Sequence, residues 1–501
     1  MAVSPGSQDH TQLADKPKHE DTAPRNGSVA EDGKQVVLVQ FDDEFQDPCD
    51  WPSWRRWSIT VITTLIFMLA TLCATLVPPF IQVISDELGM DPKVEGPLTV
   101  SLYALAFALG PVMLAPVSEM FGRVPLALIG NTFYFVFNLA CGFTRTKDQL
   151  IALRFLSGFG AGASPAISYA VVADCFRAEE RGKALTVLNS AFIFANPVGA
   201  IVGGCTSQTV SWRFAFYSTS IVLGVLVLMQ FFVQLESHKP LILERKKKQL
   251  SQARLTDVVY KVPDEDNGGG LIDLFYKRLF RPIHLLTTNP LVQVFSLHMA
   301  FAHGLTYLVM ATFATMWEQH YHQTADIASL HYIAVGVGYF IGTLCLGFMD
   351  RIYCALKRRN SDVGRAEFCL PLMIIGAFAI PSSLFAYGWT AQYHVPWIAL
   401  DIAMVPMTIG ICVTYQCILA YLMEAFPDYA VSAAAAPWLP RGLFGFGFPL
   451  FAPTMYAELG YGWGNTLLGF LALVIGVLSP LFVWRYGERL RRRGSWLGHG
   501  H

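Results

Sequence analysis

Most of this chain consists of apolar runs of about twenty residues, separated by short stretches that hold its charged residues. A helix of that length spans the roughly 30 Å hydrocarbon core of a bilayer, where every backbone N–H and C=O needs an internal partner. Only 15% of the 501 residues are charged, against about a quarter in soluble domains. A soluble protein with many buried helices would need polar faces that these runs lack. The sequence therefore predicts an all-α, polytopic membrane protein.

Twelve runs are predicted to cross the membrane. Their approximate bounds are 58–80, 95–117, 124–143, 150–174, 182–206, 213–235, 290–317, 329–349, 367–388, 395–423, 430–457 and 462–485. A charged segment at 236–288 divides them into two sets, so we expect two six-helix bundles, at 51–235 and 289–487, joined by a cytosolic linker. Residues 1–50 and 488–501 are the predicted cytosolic tails. The first tail is too poor in apolar residues to bury a core and is expected to be disordered.

The distribution of lysine and arginine predicts the orientation, because cytosolic loops carry an excess of both. With the N-terminus inside, most basic loop residues face the cytosol, including those of the central linker and the cluster from Arg485 to Arg493. The basic residues left outside are Lys93, Arg145, Lys147 and Arg213. Both termini are therefore predicted to be cytosolic. The plasma membrane is the expected location, with the vacuolar membrane as the alternative.

The net charge of −1 gives no reason to expect a nucleic-acid partner. The cysteines and histidines lack the spacing of a zinc site, and no HExxH, nucleophile-elbow or Walker sequence is present. Neither an enzymatic activity nor a cofactor is predicted. A non-transporting sensor on such a scaffold would be expected to carry a long structured cytosolic domain, which the composition of residues 236–288 does not predict.

Ionisable side chains inside the predicted spans are candidates for function, because a charge at mid-bilayer costs roughly 2.5–3.5 kcal/mol on insertion scales. Arg441 lies deepest, in span 11, while Arg154 lies near the outer end of span 4 and Asp401 in the outer third of span 10. Each has a structural alternative: Arg441 as a cation held by carbonyls, Arg154 snorkelling to the interface, and Asp401 reaching the outer surface. The surplus of arginine favours an acidic or neutral cargo over a polyamine.

Span 7 contributes two histidines. His298 and His303 are separated by about 140° around a helix, so both cannot face one cavity, whereas His303 and Tyr307 share a face. A histidine can titrate near neutral pH, as proton coupling requires; the alternative is a packed, hydrogen-bonded side chain. Asn196 of span 5 and Gln416 of span 10 are candidate polar residues of the same cavity.

Several stretches follow the pattern of a known family. The loop between spans 2 and 3 reads Pro-Val-Ser-Glu-Met-Phe-Gly-Arg at 116–123, and span 4 reads Arg-Phe-Leu-Ser-Gly-Phe-Gly at 154–160. The chain then reads Ala-Asp at 173–174 and Glu-Glu-Arg-Gly at 179–182. These stretches resemble the PxSExxGR, RxxxGxG and aD…eeRG signatures of the major facilitator superfamily, in its branch of fungal twelve-span drug:proton antiporters. With matching stretches after span 6, in span 11 from Arg441 to Gly460, and after span 12, the likeness extends over about residues 41–492.

The resemblance implies two bundles, alternating access and, usually, export driven by a proton gradient. It also implies a gate on the cytosolic side, in which Gly122 permits a tight reversal and Arg123 offers its guanidinium to Asp174 or Glu180. The gate candidates are Glu119, Gly122, Arg123, Asp174, Glu180, Arg181, Asp350 and Arg351. The glycines of span 4 are expected to permit close helix packing.

Span 5 departs from the branch signature GPxxGPxxGG: residues 195–204 keep the last three glycines, but both Gly-Pro pairs are broken. Val124 also stands where a second basic residue is usual. We predict a monomeric, proton-coupled exporter of a small organic metabolite or drug, with the cargo, protons and the bilayer as its partners. An importer or facilitator of the same fold, or a nutrient sensor, remains the alternative.

Overall fold

The computed structural model describes residues 35–38, 41, 46–91, 94–253, 258–261, 271–360, 365–426 and 430–495. The helices of the first half are α1 (Ser53–Leu76), α2 (Ile81–Leu88), α3 (Glu95–Phe121), α4 (Arg123–Cys141), α5 (Lys147–Ala161), α6 (Ala163–Cys175), α7 (Ala178–Ser207) and α8 (Trp212–Val233). Between the halves lie α9 (Lys239–Ala253) and α10 (Leu271–Thr288). The second half holds α11 (Pro290–Tyr321), α12 (Ala325–Leu330), α13 (Tyr332–Arg359), α14 (Leu370–Gln392), α15 (Trp397–Ala425), α16 (Ala430–Ala435), α17 (Trp438–Ala472) and α18 (Leu478–Ser495).

Eleven helical segments of the described chain are long and apolar enough to cross a membrane. The last of them, Ser432–Gly487, has 56 residues and would measure about 84 Å as one helix, well over twice the hydrocarbon core. The backbone of Gly460 is non-helical, at φ 70° and ψ 172°, so the chain turns back there and crosses twice. The predicted all-α fold with twelve spans is confirmed.

Span 4 packs closely against its neighbours through its glycines. A Cβ atom on Gly158 would lie 2.5 Å from the carbonyl oxygen of Tyr103, and one on Gly160 would lie 2.7 Å from the backbone nitrogen of Tyr134. Helix backbones can approach this closely only where the side chain is a hydrogen. The expectation that these glycines permit close packing is confirmed.

An even number of crossings places the beginning of α1 and the end of α18 on one face of the protein, which we call the terminal face. The opposite face, the distal face, carries the connections at 142–146, 208–211 and 322–324. The bundles touch through α7 and α12 on the distal side, where a Cβ atom on Gly204 would lie 2.1 Å from the Cβ of Ser329. They also touch at mid-height, where one on Gly442 would lie 2.5 Å from the Cβ of Ala108. We call the first of these the distal contact.

The segments outside the bundles contain more regular structure than their composition indicates. Gln35–Leu38, within the tail expected to be disordered, forms a strand that pairs in parallel with Val258–Lys261 of the linker. Both stretches are rich in valine, which favours strands. The linker also forms α9 and α10. Residues 1–34, to which most of the expected disorder applied, lie outside the described residues.

Candidate functional site

A cavity lies between the two bundles, bordered by α3, α6 and α7 of the first and by α11, α13, α15 and α17 of the second. Most of its wall is apolar or aromatic. The polar side chains other than tyrosine on the wall are Asn189, Asn196, His303, Thr306, Gln416 and Arg441. Such a wall suits a small organic molecule that has an apolar body and one or a few polar groups.

Arg441 reaches this cavity from the start of a helix. The predicted span 11 ran without a break from 430, but the structure divides it into α16 and α17, which begins at Trp438. Pro437 and Pro440 explain the division, because proline has no N–H to donate and favours the first turn of a helix over its interior. Arg441 thus lies in the first turn of α17, where the aligned peptide dipoles favour negative charge.

The guanidinium of Arg441 is buried, at 5% exposure, and is covered by two aromatic rings. Its Cζ lies 4.5 Å from the ring centroid of Trp438 and 5.0 Å from that of Tyr415. Its buried Nε has no hydrogen-bond partner, and the described residues provide neither a carbonyl nor a carboxylate for the side chain. The alternative of a structural cation held by carbonyls therefore finds no partner within the described residues.

Four further predicted residues lie on the same wall. The ring of His303 packs edge-on against Tyr307, with centroids 4.9 Å apart, as their spacing of four residues predicts. Asn196 and Gln416 face the cavity from α7 and α15. Tyr169 donates a hydrogen bond of 2.8 Å to Asn189, which adds an ordered polar pair that the sequence did not single out as such.

Arg154, His298 and Asp401 do not line the cavity. Arg154 is fully buried inside the first bundle, where its Nε donates to the carbonyl of Thr99 at 3.2 Å and its Cζ lies 4.2 Å from the ring of Tyr103. Arg154 therefore does not snorkel to an interface, and its predicted coupling role would have to act through its helix. His298 is buried against Ser479, with Nδ1 and Oγ 2.8 Å apart.

The gate candidates lie on the terminal face, where Gly122 has a φ of 98° and makes the predicted tight reversal. The Arg123 side chain is 9% exposed, and its Nε donates to Asp174 at 3.0 Å. Its Nη1 donates to Ser118 at 2.5 Å. Of its two predicted carboxylate partners, Asp174 and Glu180, Arg123 thus pairs with Asp174.

The second predicted partner is corrected by the structure, because Glu180 pairs with Arg56 at 2.7 Å. Arg181 donates to the carbonyl of Ala173 at 2.9 Å. It therefore caps a free carbonyl at the end of α6 and does not pair with a carboxylate. The Arg351 guanidinium lies 5.6 Å from the ring of Phe348. The side chain of Asp350 lies outside the described part of the chain.

Glu236 is a contributor that sequence reasoning missed. Its carboxylate accepts hydrogen bonds from the backbone nitrogens of Arg123 at 2.9 Å and Val124 at 3.3 Å, so it caps the start of α4, where negative charge is favoured. The partners of Arg123 among the described residues therefore all belong to the first bundle or to the residues that follow it directly. We call Ser118, Arg123, Asp174 and Glu236 the terminal-face cluster.

The comparisons with known proteins agree with this geometry. Residues 63–436 match the family model described as Major Facilitator Superfamily. This chain belongs to that superfamily. An efflux pump of Penicillium aethiopicum is 35% identical over 89% of this chain and 88% of its own. An uncharacterized transporter of Schizosaccharomyces pombe is 35% identical over 92% of this chain and 94% of its own.

A solved structure of the superfamily has the same fold. The xylose transporter XylE of E. coli, in a partially occluded inward open conformation, gives a TM-score of 0.63 at 18% identity, over 87% of this chain and 98% of its own. At that identity the likeness concerns the fold alone. The superfamily and the relatives together identify this protein as a membrane transporter and not an enzyme.

For a member of this superfamily, the terminal-face cluster leads to a specific expectation. Arg123→Ala leaves Asp174 half-buried without its cation, which frees α4 and α6 to move against each other and shifts the balance of conformations without touching the cavity. We expect transport to be abolished or strongly slowed while the binding constant for the cargo changes little. Initial rates and equilibrium binding, measured on the same preparation, test this.

The matched control is Arg177→Ala, which removes an exposed ion pair with Asp50 on the same face. Exposed pairs contribute little, so this variant should transport normally. An Arg123→Ala protein that moves its cargo at the wild-type rate would exclude a gating role for the cluster.

Proposed function

We propose that this transporter exports a small organic metabolite or drug in exchange for protons, with an acidic cargo favoured over a neutral one. Its terminal face lies in the cytosol, as the distribution of basic residues predicts, and it acts in the plasma membrane, with the vacuolar membrane as the alternative. The observation that carries the proposal is the buried Arg441 guanidinium, which faces the cavity without a carboxylate partner among the described residues.

A buried cation without a counter-charge is costly, so a cargo that supplies the negative charge gains a strong interaction. The start of α17 adds to this, because the aligned peptide dipoles of the helix favour negative charge there. The ring of Tyr415 and the apolar remainder of the wall match the body of an organic acid. A polyamine would meet the positive charge of Arg441 and no carboxylate on the described wall.

The direction and the coupling ion are supported by the relatives. The Penicillium aethiopicum relative is named an efflux pump, as is a protein of Floropilus chiversii that is 34% identical over 92% of this chain. The structurally similar XylE is named a proton:xylose symporter, and His303 places an imidazole, a side chain that can carry a proton, on the cavity wall. The altered span 5 does not remove its glycine contacts, since Gly199 and Gly203 still pack against backbone atoms of α1.

The test compares the small molecules retained by cells with and without the gene. Cells that lack the transporter should retain compounds that are anionic at neutral pH, and restoring the gene should return these compounds to the medium. Vesicles that contain the purified transporter should then accumulate a retained compound when their interior is acidic, because protons leaving the vesicle drive an exchanged cargo inward.

The vesicle experiment also provides its own control, since passive entry of a weak acid favours the alkaline compartment. Accumulation that requires an acidic exterior would indicate an importer coupled to protons, and accumulation without any gradient dependence would indicate a facilitator. Retained compounds that are cationic would contradict the acidic-cargo part of the proposal.

A further inference from the structure

A buried histidine–carboxylate pair lies on the distal side of the second bundle, away from the cavity. His331 joins α12 to α13, and its Nδ1 lies 2.8 Å from Oδ2 of Asp401 on α15. Its Nε2 lies 2.9 Å from Oε1 of Gln323. The imidazole stacks on Trp317, with ring centroids 3.7 Å apart and planes at 11°. The side chains of His331 and Asp401 are only 8% and 16% exposed.

Each ring nitrogen of His331 has an oxygen acceptor within hydrogen-bond distance, at Asp401 and at Gln323. An imidazole donates from both nitrogens only when it carries two protons. Its positive charge is then balanced by the Asp401 carboxylate. Without the second proton the pair has a net charge of −1, and Oδ1 of Asp401 is already buried without a hydrogen-bond partner. Burying that charge is costly unless water reaches it.

The pair is connected directly to the contact between the bundles. Ser329, the partner of Gly204 in the distal contact, lies two residues before His331, in α12. The short helix α12 is held at one end by His331, and its other face packs on α7. Loss of the contact between His331 and Asp401 would free the junction of α12 and α13, and α12 carries the distal contact.

We propose that His331 and Asp401 form a proton-binding site on the distal face, and that a bound proton holds the distal contact closed. This inference rests on the proposed function, in which protons drive transport. With the terminal face in the cytosol, as proposed above, this site lies on the outer side of the membrane, where protons are available. Proton uptake closes the distal side and thereby favours the conformation that accepts cargo from the cytosol.

Other titratable groups occur on the elements around the pair. They are Glu318, His320, Tyr321, His322, Asp326, Tyr332 and His394. Tyr321 and Tyr332 donate to the carbonyls of Val395 and Met310, and His320 packs against His394 with centroids 5.1 Å apart. Among the described contacts, none of these groups bonds to His331 or Asp401, so none of them shares the proposed proton.

The test measures the opening of the distal side without any cargo. A cysteine at Ile193, which lines the cavity from α7, is labelled with a membrane-impermeant maleimide applied from the distal face, and Cys205 and Cys412 are replaced by serine. Each rate is divided by that of a Gln319→Cys protein, whose thiol is exposed on the distal side, to remove the pH dependence of the maleimide itself. For the wild-type pair, we expect the relative rate to rise by about fivefold or more, a typical coupling between sites, between about pH 5 and pH 8.

Two variants each remove one titratable side chain of the pair. Asp401→Asn removes the buried negative charge and should give slow labelling at both pH values. His331→Gln removes the imidazole that takes up the proton and should give fast labelling at both. His394→Asn, on the same face at a positive φ that asparagine tolerates, should keep the wild-type pH dependence. Wild-type pH dependence in Asp401→Asn, or in a folded His331→Gln protein, overturns the proposal, as does its absence in the wild-type pair.

The failure of this inference can be told apart from the failure of the proposed function. If an acidic interior drives cargo into vesicles equally with His331→Gln and with the wild-type protein, the transporter is proton-coupled through other residues and this site is wrong. If the labelling follows pH as expected but no gradient moves cargo, the site stands and proton-coupled export is wrong.

Discussion

Arg441→Gln should nearly abolish transport of an anionic cargo while the protein still folds and reaches its membrane. The substitution removes the one cationic group that faces the cavity among the described residues, and losing a desolvated, charge-assisted contact costs about 2 kcal/mol or more in binding. That loss corresponds to roughly thirtyfold weaker affinity or worse. Arg441→Lys should retain part of the affinity, because an ammonium keeps the charge but lacks the planar fork that binds both carboxylate oxygens.

Binding of a compound identified by the retention experiment, measured on purified protein, provides the readout for both substitutions. Arg485→Gln is the matched control, since Arg485 is exposed near the end of span 12 and should leave binding unchanged. An Arg441→Gln protein that fails to leave the endoplasmic reticulum would show that Arg441 is structural. Normal transport of neutral compounds or polyamines by the delivered variant would exclude the acidic cargo but not export.

Gly204→Leu should stop the transport cycle by keeping the distal side open. A Cβ atom at this position would lie 2.1 Å from the Cβ of Ser329 and 3.1 Å from the carbonyl oxygen of Ala325, so α7 and α12 cannot approach as they do in the structure. Overpacking of this kind costs about 1–3 kcal/mol, which corresponds to a roughly 5- to 150-fold loss of the distally closed state. Maleimide labelling of Ile193→Cys from the distal side should accelerate accordingly.

Gly347→Leu serves as the control for this substitution. It adds the same side chain to α13, the helix that follows α12, but no atom lies within 4 Å of the position of its Cβ. Transport should continue at the normal rate in this variant. Undiminished transport by Gly204→Leu would mean that the distal contact opens and closes by a movement that does not bring these two helices together.

The parts of the site that sequence could predict were those that depend on position along one helix. The spacing of His303 and Tyr307 placed both on one face, and the depth of Arg441 in an apolar run made it a candidate before any contact was known. The depth of Arg154 in its span did not predict whether it faces the cavity, because depth does not show which side of a helix a residue occupies. Arg154 faces the inside of the first bundle, where carbonyls and aromatic rings surround it.

Contacts between distant segments could not be predicted in this way. Nothing near Glu236 in the sequence indicates that it caps a helix 113 residues earlier. His331 lies at the beginning of a predicted span, where an ionisable side chain can reach water, so its position gave no reason to single it out. The division of span 11 did have a signal, in Pro437 and Pro440, but the continuous apolar run outweighed it.

The cap that Glu236 provides also constrains the order in which the chain is assembled. The backbone N–H groups at the start of α4 are made and inserted long before Glu236 leaves the ribosome, so until then they have only water or lipid headgroups as partners. The salt bridge of 2.9 Å between Lys239 and Asp47 joins the same segment to the residues before α1. The first bundle is therefore completed by residues that follow its last helix, and the foldable unit ends at about Lys239 rather than at the membrane boundary of span 6.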